Sequence, residues 1–177
     1  NIGIITNLEL DHTNHYTNLD SLIKTMKKFA NNSKKLLANY DCEQLKKHFK
    51  SSIWWSTKTT KGVQYAAIPY SITGKKTSAN FYEKGELIGE INIPIPGLHN
   101  LSNLTGAIAA CRLAGVSFNT LKRCLNKLET PIRRFQFRGL WNKKLIVDDY
   151  AHHPSEISAT LSMVRLMIDS QQTNLPK

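Results

Sequence analysis

The densest group of reactive side chains in this sequence is D-D-Y-A-H-H-P, residues 148–154, which directly follows the apolar run L-I-V. Asp149 can accept hydrogen bonds from ribose hydroxyls or from a metal-bound water. His152 can bind a carboxylate or relay a proton. Two adjacent carboxylates repel each other and cost stability when they are buried. The segment therefore indicates a functional site rather than a purely structural turn.

A second polar group stands near the N-terminus, in T-N-L-E-L-D-H-T-N-H-Y, residues 6–16. It follows a short apolar strand, and ligands of open α/β sheets bind beyond the carboxyl ends of strands. Its oxygen and imidazole ligands suit Mg²⁺ or Mn²⁺, and they are supplied by Glu9, Asp11, His12 and His15. A polar loop that caps the next helix explains the same residues equally well.

Two further groups carry side chains that form directional hydrogen bonds. In I-P-G-L-H-N-L-S-N, Asn100 and Asn103 are three residues apart and share a helix face, with His99 beside them. Each side-chain amide offers a donor and an acceptor, which matches the edge of adenine. Ordinary helix capping by His99 or Asn100 is the alternative. Arg133 and Arg134 offer planar forks for phosphate oxygens, although an arginine pair is more often a surface feature.

The segments between these groups have the patterning of a mostly parallel α/β sheet. The predicted early elements are a strand at 2–6, a helix at 19–29, a strand at 36–38 and a helix at 42–49. Asn18 or Asp20 can cap the first helix. Short β-rich runs follow at 63–68, 77–82 and 87–93. With Lys84-Gly85 as a hairpin turn, these runs predict a small antiparallel addition to the sheet.

The later part of the chain predicts three more helices, at 97–115, at 119–128 and from Pro154 to about residue 168. A hairpin around Trp141-Asn142 is predicted to join 135–137 to 145–147. The pattern breaks at Thr130-Pro131. We therefore predict a domain boundary there, which divides 1–130 from 131–177.

Composition and charge indicate which classes of protein this chain could belong to. The 177 residues are 41% hydrophobic, so the chain is expected to fold, and no apolar run reaches the roughly eighteen residues of a membrane helix. Three scattered cysteines without a C-x-x-C pair favour a reducing cytoplasm. The net charge of +11 suggests nucleic acid as a partner, but the lysines are scattered and no binding motif accompanies them. A solvated basic face, which also suits anionic substrates, is the favoured interpretation.

In their order along the chain, the four groups resemble the Mur ligases, the ATP-dependent amino-acid ligases of peptidoglycan synthesis. The matching stretches are I-T-N-L-E-L-D-H, G-L-H-N-L-S-N, R-R-F and D-D-Y-A-H-H-P. The last of these, placed after R-R-F, is the most specific. The resemblance implies that 1–130 is part of a central ATP-binding domain without its phosphate loop. Residues 131–177 would then be the truncated beginning of an α/β C-terminal ligase domain.

The resemblance also implies contacts for ATP and Mg²⁺. His12 matches a histidine that ligates Mg²⁺, while Asn100 and Asn103, with His99 beside them, fall in the adenine-contact motif. Arg134 matches an arginine that reaches ATP phosphates, and Asp149 matches an acid that contacts the ribose.

His152 matches a histidine beside the substrate carboxylate, which makes it the expected catalytic residue. The likeness is strongest to family members that join L-alanine to UDP-N-acetylmuramate. In that reaction ATP converts the sugar carboxylate to an acyl phosphate, which the amine of L-alanine attacks. Such chemistry depends on charge neutralisation and placement more than on a covalent nucleophile.

The sequence departs from the family pattern in several places. Asn14 replaces a second aspartate, Leu104-Thr105 replaces small alanines, and Pro131-Ile132 replaces small hinge residues. No G-x-x-x-x-G-K-[ST] phosphate loop is present, so we predict that this chain alone has no ligase activity. It has no initiator Met and is expected to be part of a longer protein.

Two alternatives remain open at this point. A related ligase that attaches a whole tripeptide to the same sugar nucleotide would share these motifs, and substrate-recognition arginines outside this sequence would distinguish it. A non-catalytic basic domain that binds nucleic acid would instead show salt-dependent oligonucleotide binding.

Overall fold

The protein is described by a computed structural model that covers residues 1–10, 15–50, 52–129 and 131–169. Its main body is one six-stranded sheet in the order β1-β2-β3-β4-β5-β6. The strands are β1 (Ile2–Ile5), β2 (Lys35–Asn39), β3 (Ile53–Ser56), β4 (Tyr65–Ile72), β5 (Thr77–Glu83) and β6 (Glu86–Ile93). The pairings from β1 to β4 are parallel, and β5 and β6 extend the sheet antiparallel. This confirms the predicted α/β sheet with a small antiparallel addition.

Four helices accompany this sheet, namely α1 (Leu19–Asn31), α2 (Glu43–His48), α3 (Leu98–Leu113) and α4 (Phe118–Leu125). α1 begins after Asn18, whose side-chain oxygen accepts a hydrogen bond from the Ser21 amide at 2.9 Å. Asn18 is therefore the cap and Asp20 is not. α1 buries Leu22 and Ile23. They belong to the apolar residues at 19, 22, 23, 26 and 29, whose helical spacing explains why the helix could be predicted.

β3 is not among the predicted strands, although it lies in the centre of the sheet. Trp54, Trp55 and Ser56 are all buried, so the strand lacks the alternation of polar and apolar residues that marks a half-exposed strand. Trp55 is fully buried, and α3 packs closely over its ring because Gly106 has no side chain. A Cβ atom at Gly106 would lie 3.0 Å from the indole.

The last part of the chain is a two-stranded sheet followed by a helix. It consists of β7 (Gln136–Trp141), β8 (Lys144–Asp148) and α5 (Pro154–Asp169). Pro154 is the first helical residue, as predicted. The predicted turn at Trp141-Asn142 is wrong by one residue, since Trp141 pairs with Lys144 and the turn is Asn142-Lys143. Both turn residues have positive φ, which is the geometry of a tight two-residue hairpin.

We call residues 1–129 the sheet region and residues 131–169 the hairpin region. The predicted boundary at Thr130-Pro131 falls between α4 and β7, but Thr130 lies outside the described residues, so the division into domains stays a prediction. Among the described helices, none is long and apolar enough to cross a membrane.

Candidate functional site

A cleft of about 570 Å³ lies where the first turn of α3 faces the hairpin region. This volume is in the range of cofactor and small-molecule sites. The polar residues in its lining are Thr6, Asn7, Glu9, Asn39, His99, Asn100, Ser102, Asn103, Arg134, Asp149, Ser155, Glu156 and Thr160. Five residues predicted for nucleotide binding, three from α3 and two from the hairpin region, therefore border one space.

The first turn of α3 begins at Gly97, whose φ of 101° is a conformation that favours glycine. A Cβ atom there would also lie 3.1 Å from the His99 ring and 3.3 Å from Met163 of α5. No side chain caps this helix, so capping by His99 or Asn100 is not seen. Instead, the Asn100 amide nitrogen donates to the Pro96 carbonyl at 2.7 Å. This bond leaves the amide oxygen of Asn100 as an acceptor in the cleft.

His99 is electrostatically coupled to both sides of the cleft. Loss of hydration in the cleft lowers the pKa of the His99 imidazole. The Asp149 carboxylate opposes this shift, and the Arg134 guanidinium adds to it. Charges of the hairpin region thus act on a side chain of the sheet region.

Asn39 and Trp55, which were not predicted as site residues, hold Ser102 in the lining of the cleft. The Asn39 amide donates to the Ser102 hydroxyl at 3.3 Å, and the buried Trp55 indole donates to the same oxygen at 3.4 Å. Asn39 is the last residue of β2. The rule that ligands bind at the carboxyl ends of parallel strands would have selected it.

The backbone that presents Arg134 is held in an unusual conformation. Arg133 and Phe135, which flank it, have φ values of 61° and 50°. The Tyr150 amide donates to the Arg133 carbonyl at 2.8 Å, and the Arg133 guanidinium lies 4.8 Å from the centre of the Tyr150 ring. Non-glycine residues in this region need support from their surroundings, and these contacts supply it.

The two adjacent acids have separate structural partners. Asp149 accepts hydrogen bonds from the Phe135 amide at 2.8 Å and from the Ala151 amide at 2.7 Å. Asp148 forms an ion pair with Arg138 at 2.7 Å. The repulsion expected between the acids is therefore offset locally, and the argument against a structural role for the pair is wrong. Each Asp149 oxygen still has a further lone pair, so the carboxylate can also accept a bond from a ligand.

Glu156 lies beside Arg134, with 3.7 Å between carboxylate oxygen and guanidinium nitrogen. Its carboxylate accepts a hydrogen bond from the His152 amide at 3.2 Å and a longer one from the His153 amide at 3.5 Å. The bond from the His152 amide is the main cause that lowers the pKa of Glu156. An ionised Glu156 at the helix start is also favoured by the helix dipole.

His152, the predicted catalytic residue, does not line the cleft. Its exposed ring lies 3.0 Å from the Tyr150 carbonyl and 3.5 Å from Glu156. The neighbouring His153 and Ser155 point instead toward the sheet region, where both contact the Glu9 carboxylate. The structure thus brings five of the predicted residues together and leaves His152 at the edge.

The predicted Mg²⁺ ligand, His12, lies outside the described residues. Within 1–10, 15–50, 52–129 and 131–169, no group of three or more histidine, cysteine or acidic side chains is arranged to hold a metal ion. The Mg²⁺ site therefore stays a prediction that depends on His12.

Residues 1–111 match the family model of the Mur ligase middle domain. The chain belongs to the Mur ligase family. It is 57% identical over 175 residues to UDP-N-acetylmuramate–L-alanine ligase of Prochlorococcus marinus MIT 9303, a match that covers 99% of this chain. The same match covers 36% of the relative, so this Mur ligase chain spans about a third of the length of that protein.

Solved Mur ligases share the fold at lower identity. UDP-N-acetylmuramate–alanine ligase from Thermotoga maritima superposes with a TM-score of 0.79 at 23% identity, over 96% of this chain and 39% of that one. MurF ligase from the same organism, solved in complex with ADP, superposes with a TM-score of 0.74 at 17% identity, over 93% and 39%. These matches extend past residue 111 and therefore include most of the hairpin region.

Proposed function

We propose that this chain forms the nucleotide-facing part of an enzyme that ligates L-alanine to UDP-N-acetylmuramate, with ATP and Mg²⁺, in peptidoglycan precursor synthesis. The observation that carries the proposal is the 57% identity to UDP-N-acetylmuramate–L-alanine ligase over 99% of the chain. The three free cysteines suit a reducing compartment, and we place the activity in the cytoplasm.

The cleft supports a nucleotide as its ligand. The Asn100 oxygen and the exposed Asn103 amide offer an acceptor and a donor on one face of α3, beside the His99 ring. Arg134 and Asp149 lie across the cleft, where they would contact phosphate oxygens and ribose hydroxyls. ATP, when bound, supplies the phosphoryl group that activates a carboxylate, and the chain's own part is to orient it.

The remaining assignments extend the same proposal. His12 would ligate Mg²⁺ between the phosphates, and His152 would act near the sugar carboxylate after a movement that brings it to the cleft. Residues 1–130 would belong to the central ATP-binding domain and residues 131–177 to the C-terminal ligase domain. The phosphate loop must come from outside this sequence, which contains none.

A hybrid enzyme tests this function directly. In it, our chain replaces the matching 175-residue segment of the Prochlorococcus marinus MIT 9303 relative. We expect phosphate release that requires ATP, UDP-N-acetylmuramate and L-alanine together, and none from the 177-residue chain alone. The Asn103→Ala and Arg134→Ala hybrids should each lose about tenfold or more in kcat/KM for ATP.

Three results would speak against the proposal. A folded hybrid that releases no phosphate would reject the assigned reaction. Because the substrate-recognition arginines lie outside this sequence, the tripeptide-adding alternative needs the longer protein that contains this chain, and it would be favoured if that protein accepts a tripeptide and not L-alanine. Salt-dependent oligonucleotide binding without a response to ATP would favour a nucleic-acid-binding domain.

A further inference from the structure

We propose that Glu9 is a positioning residue that fixes the start of α5, and with it Arg134, over the nucleotide cleft. This inference rests on the proposed function, because the value of the placement lies in how tightly ATP is held. It concerns a carboxylate that the sequence offered only as one of four possible Mg²⁺ or Mn²⁺ ligands and that has no part in ATP binding or catalysis above.

Glu9 is fixed to the sheet region by its neighbours. Leu8 is buried with 3% of its surface exposed and packs in the core that contains Ile5 and Leu22. The side chains of Asn7 and Ser155 both form hydrogen bonds with the Glu9 carboxylate. The carboxylate therefore stands on an anchored backbone.

The distant partners of Glu9 come from the first turn of α5 and the residue before it. The Ser155 hydroxyl donates to Glu9 Oε2 at 2.7 Å, and His153 Nδ1 lies 3.1 Å from the same oxygen. Glu9 Oε2 can accept from both groups when the imidazole proton is on Nδ1, whereas an alanine at this position has no acceptor. The contact joins residues 146 positions apart in the sequence, so it fixes tertiary placement rather than local structure.

The same turn of α5 also carries the contact to the phosphate-facing arginine. Glu156, which follows Ser155, pairs with Arg134 at 3.7 Å. On the other side, Met163 packs against Gly97 at the start of α3. A shift of the α5 start would therefore move Arg134 away from the side chains of α3 across the cleft.

Glu9 acts through the population of molecules in which Arg134 faces α3 across the cleft. If Glu9 favours this placement, its loss lowers that population, and the apparent affinity for ATP falls by the same factor. Conformational coupling of this kind usually changes affinity by about 5- to 150-fold. The effect should appear in KM for ATP more than in kcat, because the groups that contact the nucleotide are unchanged.

The first experiment uses the complete 177-residue chain and hydrogen exchange. We expect Glu9→Ala to speed amide exchange in the first turn of α5 at least about fivefold, and Ser155→Ala to do the same. The double variant should exchange little faster than either single variant, because both substitutions remove the same hydrogen bond between Ser155 and Glu9. Glu86→Ala and Ser158→Ala, which change exposed residues outside the contact, are the matched controls.

The second experiment measures kinetics in the hybrid enzyme. Glu9→Ala and Ser155→Ala should each raise KM for ATP by about 5- to 30-fold with a smaller change in kcat, and Glu9→Gln should fall between them and the parent. A merely structural role would lower the melting temperature of the hybrid and leave KM unchanged.

The two proposals fail in different ways. An inactive parent hybrid rejects the proposed function, while exchange in the 177-residue chain still shows whether Glu9 holds α5. An active parent hybrid with unchanged KM in both variants rejects the role of Glu9 and leaves the ligase function standing. Unchanged α5 exchange in both variants also rejects it.

Discussion

The sheet region and the hairpin region of this chain are stabilised very differently. Among the residues that the structure describes, the sheet region contains three buried clusters, with Trp55, Phe81 and Leu37 fully buried. The described hairpin region has one small cluster around Phe135, Met163 and Met167. Its strands leave large apolar side chains in solvent, since 73% of Leu140 and 64% of Trp141 are exposed.

This contrast distinguishes the contacts that stabilise the fold from the contacts that position the hairpin region over the cleft. The sheet region buries enough apolar surface to hold the first turn of α3 in one geometry. The hairpin region is positioned by a few contacts, such as the hydrogen bond between Glu9 and Ser155 and the packing of Met163 against Gly97. A cleft between a densely packed region and a less densely packed one suits the proposed nucleotide site, which would close over its ligand and then open again.

The largest expected effect comes from the core of the sheet region. Trp55→Ala should lower the free energy of unfolding by about 3–5 kcal/mol, because it leaves a cavity beneath α3 and removes the bond to Ser102. Denaturation in urea, followed by circular dichroism, measures this change. A loss below about 1 kcal/mol would mean that this core does not support the fold.

Met163→Ala tests the other side of the comparison. Met163 is buried between Phe135 and the start of α3, so we expect at least about 2 kcal/mol to be lost from the local stability of α5. The main urea transition should hardly move, while amide exchange in α5 accelerates. If Met163→Ala shifts the main transition as far as Trp55→Ala does, the two regions unfold together and the contrast is wrong.

Gly97→Ala probes the junction of the two regions. A Cβ atom would be strained at a φ of 101° and would press on His99 and Met163. We expect a loss of about 1–3 kcal/mol, together with faster exchange in the first turn of α3 and in α5. Gly85→Ala is a useful control, since this hairpin glycine also has positive φ but has open space around it. Equal exchange in α5 for both variants would contradict close packing at Gly97.

The smallest effect concerns the pH dependence of stability. Since loss of hydration lowers the pKa of His99, the unfolded chain binds more protons than the folded chain near and below the ordinary histidine pKa of 6.5. Stability should therefore rise with pH through this window, and His99→Gln should flatten part of that rise. The ring is still exposed to solvent, so the effect should be small. Urea titrations between pH 5.5 and 7.5, about one unit either side of the histidine pKa, would detect it. A steeper pH dependence in the variant would reverse the assigned sign.

The sequence predicted those parts of the molecule that depend on local patterning. The helical spacing of apolar residues at 19, 22, 23, 26 and 29 predicted α1, and Lys84-Gly85 predicted the turn between β5 and β6. β3 escaped prediction because a strand buried on both faces has no alternation. The contact between Glu9 and Ser155 could not be predicted either, because the residues are 146 positions apart and the sequence around each gives no sign of the other.

For the cleft, residue types identified candidates but not their arrangement. His99, Asn100, Asn103, Arg134 and Asp149 all line one cavity, although their roles toward a ligand stay predictions. The structure adds that Asp149 also holds the Phe135 amide, a role that no motif expresses. His152 and His153 are adjacent in the sequence, and only the three-dimensional path of the chain shows which of them faces Glu9.

Photolabelling of the hybrid enzyme with 8-azido-ATP tests the central claim most directly, since the azide reacts beside the bound base. We predict that the labelled peptide contains the first two turns of α3, with Asn100 and Asn103, and that unmodified ATP prevents the labelling. Label that ATP displaces but that lies wholly outside these two turns would contradict the claim that α3 and the hairpin region enclose the nucleotide.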